Sequence, residues 1–199
     1  MISSSTYQNV QTDSDEEPKI SGCGVLNAMF SVVGSFLGIL TLSGLNSFLD
    51  GIYGNRWWTI GSFGAQAVLI FAAPTAPFSQ PWNCFVGNIA GAFVGVTIRI
   101  LVPDPKYLSV ALAVSITIGL QHLTYSLHPP GGATAFIAVI AKDGMEKIGY
   151  LFIILALAGS VVHVLVAIFT NAVAKCVGVP KRTYPTFIIP DEIKTLLRC

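Results

Sequence analysis

Four long stretches without a formal charge constrain this chain more than any other feature. No Asp, Glu, Lys or Arg occurs between Lys19 and Asp50, Arg56 and Arg99, Lys106 and Lys142, or Lys147 and Lys175. Each gap exceeds the roughly 20 residues that a helix needs to cross about 30 Å of hydrocarbon. A soluble helix of that length would carry a polar face. With 53% of residues hydrophobic and 11% charged, and the charge confined to joints and ends, the chain reads as an all-α polytopic membrane protein whose solvent is lipid.

The same numbers exclude several functions. A net charge near +1 gives no basic surface for nucleic acid. Cys23, Cys84, Cys176 and Cys199 are scattered, without Cys-x-x-Cys spacing or a His at zinc-ligand distance, so neither metal nor cofactor is expected. No paired carboxylate, Ser-His-Asp set or nucleotide loop marks an enzyme.

Residues 1–20 are Ser- and Thr-rich with Asp13, Asp15, Glu16 and Glu17, and read as a disordered tail, neither secretory signal nor transit peptide. Residues 21–178 form the membrane domain, and 179–199, with Pro180, Pro185 and Pro190, a C-terminal tail outside it. Four spans are expected at 25–49, 84–101, 107–127 and 148–174. Gly87, Gly91 and Gly95 recur at every fourth position, a stripe of small residues that faces another helix within the chain or in a second copy, so a homo-oligomer is expected.

Two apolar pieces, 61–73 and 131–141, are too short for ordinary spans, and each opens on a Gly-rich break. The second break is His128-Pro-Pro-Gly-Gly-Ala-Thr-Ala135, in which Pro129 and Pro130 oppose continuation of the upstream helix. A shift of 68 positions lays Gly64-Ala65-Gln66-Ala67 on Gly132-Ala133-Thr134-Ala135 and Ala90-Gly91 on Ala158-Gly159. Two tandem repeats follow, about 25–101 and 107–174, each span, break, short helix, span. If the short helices dip in and return, Lys and Arg divide six to three between the two sides; if they cross, four to five. The bias favours four spans plus two re-entrant or broken helices, parallel repeats and both termini in the cytosol. Six crossings with inverted repeats is the alternative. Arg56, Trp57 and Trp58 sit at an interface in either case.

Irregular backbone at membrane depth must be buried in protein or line a wet cavity. A helix that starts there aims free N–H groups into that cavity, which suits an anion. The candidate substrate-binding residues are therefore Ser62, Gly64, Gln66, His128, Gly131, Gly132 and Thr134, with Gly61, Pro129 and Pro130 shaping the breaks. His128 either bonds a carbonyl freed by the prolines or carries a proton beside the anion. Gln121, Tyr125 and His128, at i, i+4 and i+7, would share a helical face and line the same path. Asn88 and Asn171 are interhelical glue or pathway residues. His122 and His163 read as packing residues.

The stretch Gly61-Ser-Phe-Gly-Ala-Gln-Ala-Val-Leu-Ile-Phe-Ala-Ala-Pro74, then Gln80-Pro-Trp-Asn83, then His128-Pro-Pro-Gly-Gly-Ala-Thr-Ala135, resembles the HPP family of integral membrane proteins. The resemblance covers most of residues 25–174. It implies four membrane spans and transport of nitrite or a similar small inorganic anion. A scaffold subunit that packs its Gly-rich faces against a larger complex is the competing function. The two differ in whether Ser62, Thr134 and His128 face a continuous polar path or are packed dry.

Overall fold

The computed structural model describes residues 22–53, 61–141, 148–179 and 182–196. The 1–20 tail, Arg56, Trp57, Trp58 and Cys199 lie outside these. Among the described residues all regular structure is helical: α1 (Gly22–Tyr53), α2 (Ser62–Ala67, continued by a π-helical turn Val68–Ala72), a 3-10 turn (Pro77–Ser79), α3 (Pro81–Leu101), α4 (Lys106–Leu123), α5 (Pro129–Ile140), α6 (Leu151–Cys176) and α7 (Asp191–Leu196). Four helices among the described residues are long and apolar enough to cross a membrane, at Gly24–Phe48, Pro81–Leu101, Lys106–Leu123 and Leu151–Cys176. Ser62–Ala72 and Pro129–Ile140 are the two short apolar helices.

α5 begins earlier than the glycines suggest. Pro129 and Pro130 occupy its first two positions, and His128 is its N-cap with φ −149° and ψ 100°. Proline is tolerated there because the first N–H groups of a helix have no intrahelical acceptor, and its fixed φ already suits the first turn. The break is thus the five residues 124–128, and the prolines start the new helix.

α3 is the central post. Gly87, Gly91 and Gly95 let α5 approach until a Cβ on Gly91 would stand 2.0 Å from the Gly131 carbonyl oxygen, and one on Gly95 2.7 Å from that of Ala135. The small-residue stripe is consumed inside the chain. It also fixes direction: α5 runs parallel to α3, whereas Gln121 of α4 and Ser160 of α6 reach Gly87 and Asn88 from helices running the other way. α1 starts beside the end of α6, since Arg182 bonds Asn27, and Gly34 and Gly38 of α1 pack against Phe71 near the end of α2.

Each helix from α1 to α6 therefore reverses the one before it. α5 starts beside α3's first turns, where Trp82 Nε1 donates to the Thr124 carbonyl at 3.0 Å, and ends beside α3's last turn, where Arg99 meets the Ala141 carbonyl at 2.5 Å. The short helices carry the chain onward instead of returning it. The four long helices and two short broken ones expected from the sequence are thus present, but the triplets α1–α3 and α4–α6 run inverted within the bundle, not parallel. The parallel order rested on a count of few cations, and one of them, Arg99, caps the end of α5, donating to the carbonyls of Ala138 and Val139 at 3.2 Å each and of Ala141, a local structural role. Both ends of the helical domain still lie on one side of the bundle.

Contacts recur at the 68-residue offset. Gly91 against Gly131 is matched by Gly159 against Phe63, where a Cβ would stand 2.1 Å from the ring. The carbonyls of Val139 and Phe71 also stand at this offset and each accepts from an arginine, Arg99 at 3.2 Å and Arg182 at 2.7 Å, although the two arginines themselves do not keep the offset. The repeat stays an inference from these correspondences. Residues 182–188, read from sequence as tail, lie against the domain: Tyr184 OH donates to the Ser79 carbonyl at 3.0 Å, and Gln80 Oε1 accepts from Thr186 N at 2.8 Å.

Candidate functional site

The two short helices meet at a cluster of neutral polar side chains inside the bundle. Ser62 and Gln66 come from α2, Asn88 from α3, Thr134 from α5, Ser160 from α6 and His128 from the connection before α5; all are fully buried or within 1% of it. Asn88 stands about 10 Å along α3 from its start and about 20 Å from its end, at 1.5 Å per residue. The cluster therefore lies within the depth of the long helices.

Thr134 Oγ1 lies 2.8 Å from Ser62 Oγ, 2.8 Å from Asn88 Oδ1 and 3.0 Å from the Pro130 carbonyl oxygen. Asn88 Nδ2 donates to Gln66 Oε1 at 2.7 Å, to Ser160 Oγ at 2.9 Å and to the Cys84 carbonyl at 3.0 Å. His128 is held on three sides. Its Nδ1 is 2.8 Å from the Phe78 carbonyl, its Nε2 is 3.4 Å from Gln66 Oε1, and its backbone N–H donates to Gln121 Oε1 at 3.1 Å. Gln121 Nε2 in turn donates to the carbonyls of Gly87 and His128, each at 3.1 Å. One buried donor in the cluster, Gln66 Nε2, has no acceptor among the described residues.

Of the candidate residues, Ser62, Gln66, His128, Thr134 and Asn88 converge, and Gln121 supports His128 from behind. Gln121 and His128 meet by the turn at 124–128, not by a shared helical face: α4 ends at Leu123, and Tyr125, at φ +50° and 47% exposed, stays outside the buried cluster and lines the cavity beside it together with Gln121. Gly131 serves close packing, because a Cβ there would stand 2.2 Å from the Gly87 carbonyl oxygen. Gly64 and Gly132 have open space beside them and line two apolar grooves, of about 660 Å³ between α1 and α2 and about 680 Å³ between α4 and α5. Gly61 borders the second groove. Asn171 is buried in α6 and donates to the Ala167 carbonyl at 2.8 Å, apart from the cluster in hydrogen bonding. Ser160 was not singled out from the sequence, although it directly follows the glycine that the 68-residue shift places on Gly91.

The start of α5 supplies fewer free amides than a bare helix end. Pro129 and Pro130 have none, and Gly131 N donates to the His128 carbonyl at 2.8 Å. The hydrogen-bonding groups at this junction are therefore mostly side chains. A cavity of about 490 Å³ opens beside it, lined among others by Phe78, Asn83, Gln121, His122, Asp191 and Glu192. Asn83 Nδ2 donates to the Leu127 carbonyl at 2.9 Å, while Asn83 Oδ1 is a buried acceptor without a protein partner. No group of three or more His, Cys, Asp or Glu suited to a metal occurs among the described residues.

A helical bundle with four long apolar helices and two short ones that meet at buried polar side chains defines a polytopic α-helical membrane protein. The chain belongs to the HPP family: the model described as HPP, transmembrane region, matches residues 21–185. Two Dictyostelium discoideum proteins described as transmembrane proteins are similar to it. One is 38% identical over 161 residues, 79% of this chain and 50% of its own. The other is 35% identical over 179 residues, 88% of this chain and 60% of its own. The chain thus spans about half to three-fifths of these relatives. No solved structure matches.

Proposed function

We propose that this protein moves a small inorganic anion, nitrite foremost, across its membrane through the junction of α2 and α5. The observation that carries the reading is the convergence of two short helices, from opposite ends of the bundle, on buried neutral hydrogen-bonding groups with a donor, Gln66 Nε2, left unpaired. Polar groups at membrane depth are costly, and a scaffold gains nothing from an unpartnered one. Inverted, broken helices with a site at mid-depth are a recurrent transporter design. Hydroxyl and amide donors bind a small anion without a fixed cation that would hold it too tightly to release. In this arrangement the junction is closed, so passage requires α2 and α5 to part.

The packing of Ser62, Thr134 and His128 away from solvent favours a second reading, a non-transporting structural subunit. Nitrite uptake into proteoliposomes of the purified protein, with nitrate and formate as competitors, decides between them. Saturable uptake above empty vesicles supports transport. Uptake equal to empty vesicles supports the structural role.

A further inference from the structure

Both ring nitrogens of His128 face an oxygen. Its Nδ1 faces the Phe78 carbonyl oxygen at 2.8 Å, and because a carbonyl only accepts, Nδ1 carries a hydrogen. Its Nε2 faces Gln66 Oε1 at 3.4 Å. The amide of Gln66 is not free to turn over. Its Oε1 accepts from Asn88 Nδ2, and Asn88 Nδ2 is itself fixed by donating to the Cys84 carbonyl. In a neutral ring the Nε2 lone pair therefore meets an acceptor, and only a protonated Nε2 donates to it.

A lone imidazolium here would be uncompensated. The side chains at the junction, Ser62, Gln66, Asn88, Gln121, Thr134 and Ser160, are all neutral, and an unpaired buried charge is costly. The unpaired Gln66 Nε2 supplies the other half of the arrangement, a donor waiting for an acceptor on the same amide whose oxygen faces His128.

We infer that the junction takes up its anion together with one proton, as a neutral pair: the proton enters from water onto His128 Nε2, and the anion accepts from Gln66 Nε2. Gln66 then bridges the two, its oxygen to the imidazolium and its nitrogen to the anion. Neither charge enters alone, which makes movement electroneutral. This rests on the anion reading above and adds the coupled ion. The other titratable groups nearby are His122, Tyr125, Asp191 and Glu192, which line the outer cavity beyond Phe78 and Gln121, Cys84 and Tyr184, which both meet the Ser79 carbonyl, and His163, whose ring meets Phe63 and Phe71 edge-on.

The test is an equilibrium measurement on the full chain in detergent. Sodium nitrite is titrated calorimetrically in buffers of different ionisation enthalpy, with sodium chloride at equal ionic strength as the blank. The expected result is uptake of about one proton per nitrite bound near neutral pH, with affinity falling up to about tenfold per pH unit as pH rises. His128→Gln abolishes the linked proton, whereas Asp191→Asn with Glu192→Gln keeps it. The pH slope in the unmodified protein needs no variant, so a misfolded His128→Gln leaves the test intact. Nitrite binding without a linked proton overturns this inference and spares the anion reading; no nitrite binding at any pH overturns both.

Discussion

Thr134 Oγ1 and Ser62 Oγ lie 2.8 Å apart, and this contact is the meeting point of two helices that enter the bundle from opposite ends. Because Thr134 also bonds Asn88 Oδ1, it ties α2, α3 and α5 together through one hydroxyl.

Thr134→Val keeps the shape and removes that hydroxyl, leaving the Asn88 oxygen buried without this partner. The expected loss is about 1 kcal/mol, within the range for polar contacts between membrane helices. Thermal unfolding in detergent measures it. Ser62→Ala, which leaves Asn88 and Thr134 bonded, costs less.

Helix directions put the 102–105 turn and residues 182–188 at opposite ends of the bundle. In a cysteine-free background, Asp104→Cys and Thr186→Cys are expected to react with an impermeant maleimide from opposite faces. Labelling from one face would restore the dip-and-return topology.

Gly91 and Gly44 make a matched pair. Alanine at Gly91 drives a methyl into the Gly131 backbone, whereas among the described residues nothing stands within 4 Å of where a Cβ on Gly44 would be. Gly91→Ala should destabilise by about 2 kcal/mol or more, as overpacking against backbone does. Gly44→Ala should be neutral or stabilise by up to about 1 kcal/mol through the lost freedom of the unfolded chain. The folded fraction after heating, read by size exclusion, separates the two.

Arg182 is 5% exposed and binds the backbone oxygen and Oδ1 of Asn27, Ser31 Oγ and the Phe71 carbonyl, closing the end of α2 against the start of α1. Burial lowers its pKa from the usual guanidinium value. Lysine cannot reproduce this fork of donors. Arg182→Lys should behave almost like Arg182→Gln, both loosening residues 182–188 and speeding limited proteolysis there.

Charge-free lengths and Gly-Pro breaks made the four long and two short helices legible, and the residues around the breaks named most of the junction: Ser62, Gln66, His128 and Thr134. The stripe at Gly87, Gly91 and Gly95 announced a close helix partner without saying which. Direction was not legible, because it rested on a few cations and Arg99 is taken up as a helix cap. Tyr125 was grouped with Gln121 by extending α4 past Leu123; it shares a cavity with Gln121, but through a turn in which the Ser126 N–H donates back to the Gln121 carbonyl at 2.9 Å. Ser160 was missed because a lone serine in an apolar span carries no signal until its neighbour Asn88 is known.

The most direct test of the junction as the anion's route is a reversible lock across it. Ser62→Cys with Thr134→Cys, whose parent hydroxyls are 2.8 Å apart, should form a disulfide on mild oxidation. Nitrite uptake into proteoliposomes is predicted to stop on oxidation and to return on reduction, with each single cysteine variant insensitive to both. Undiminished uptake by the fully cross-linked protein would contradict the account.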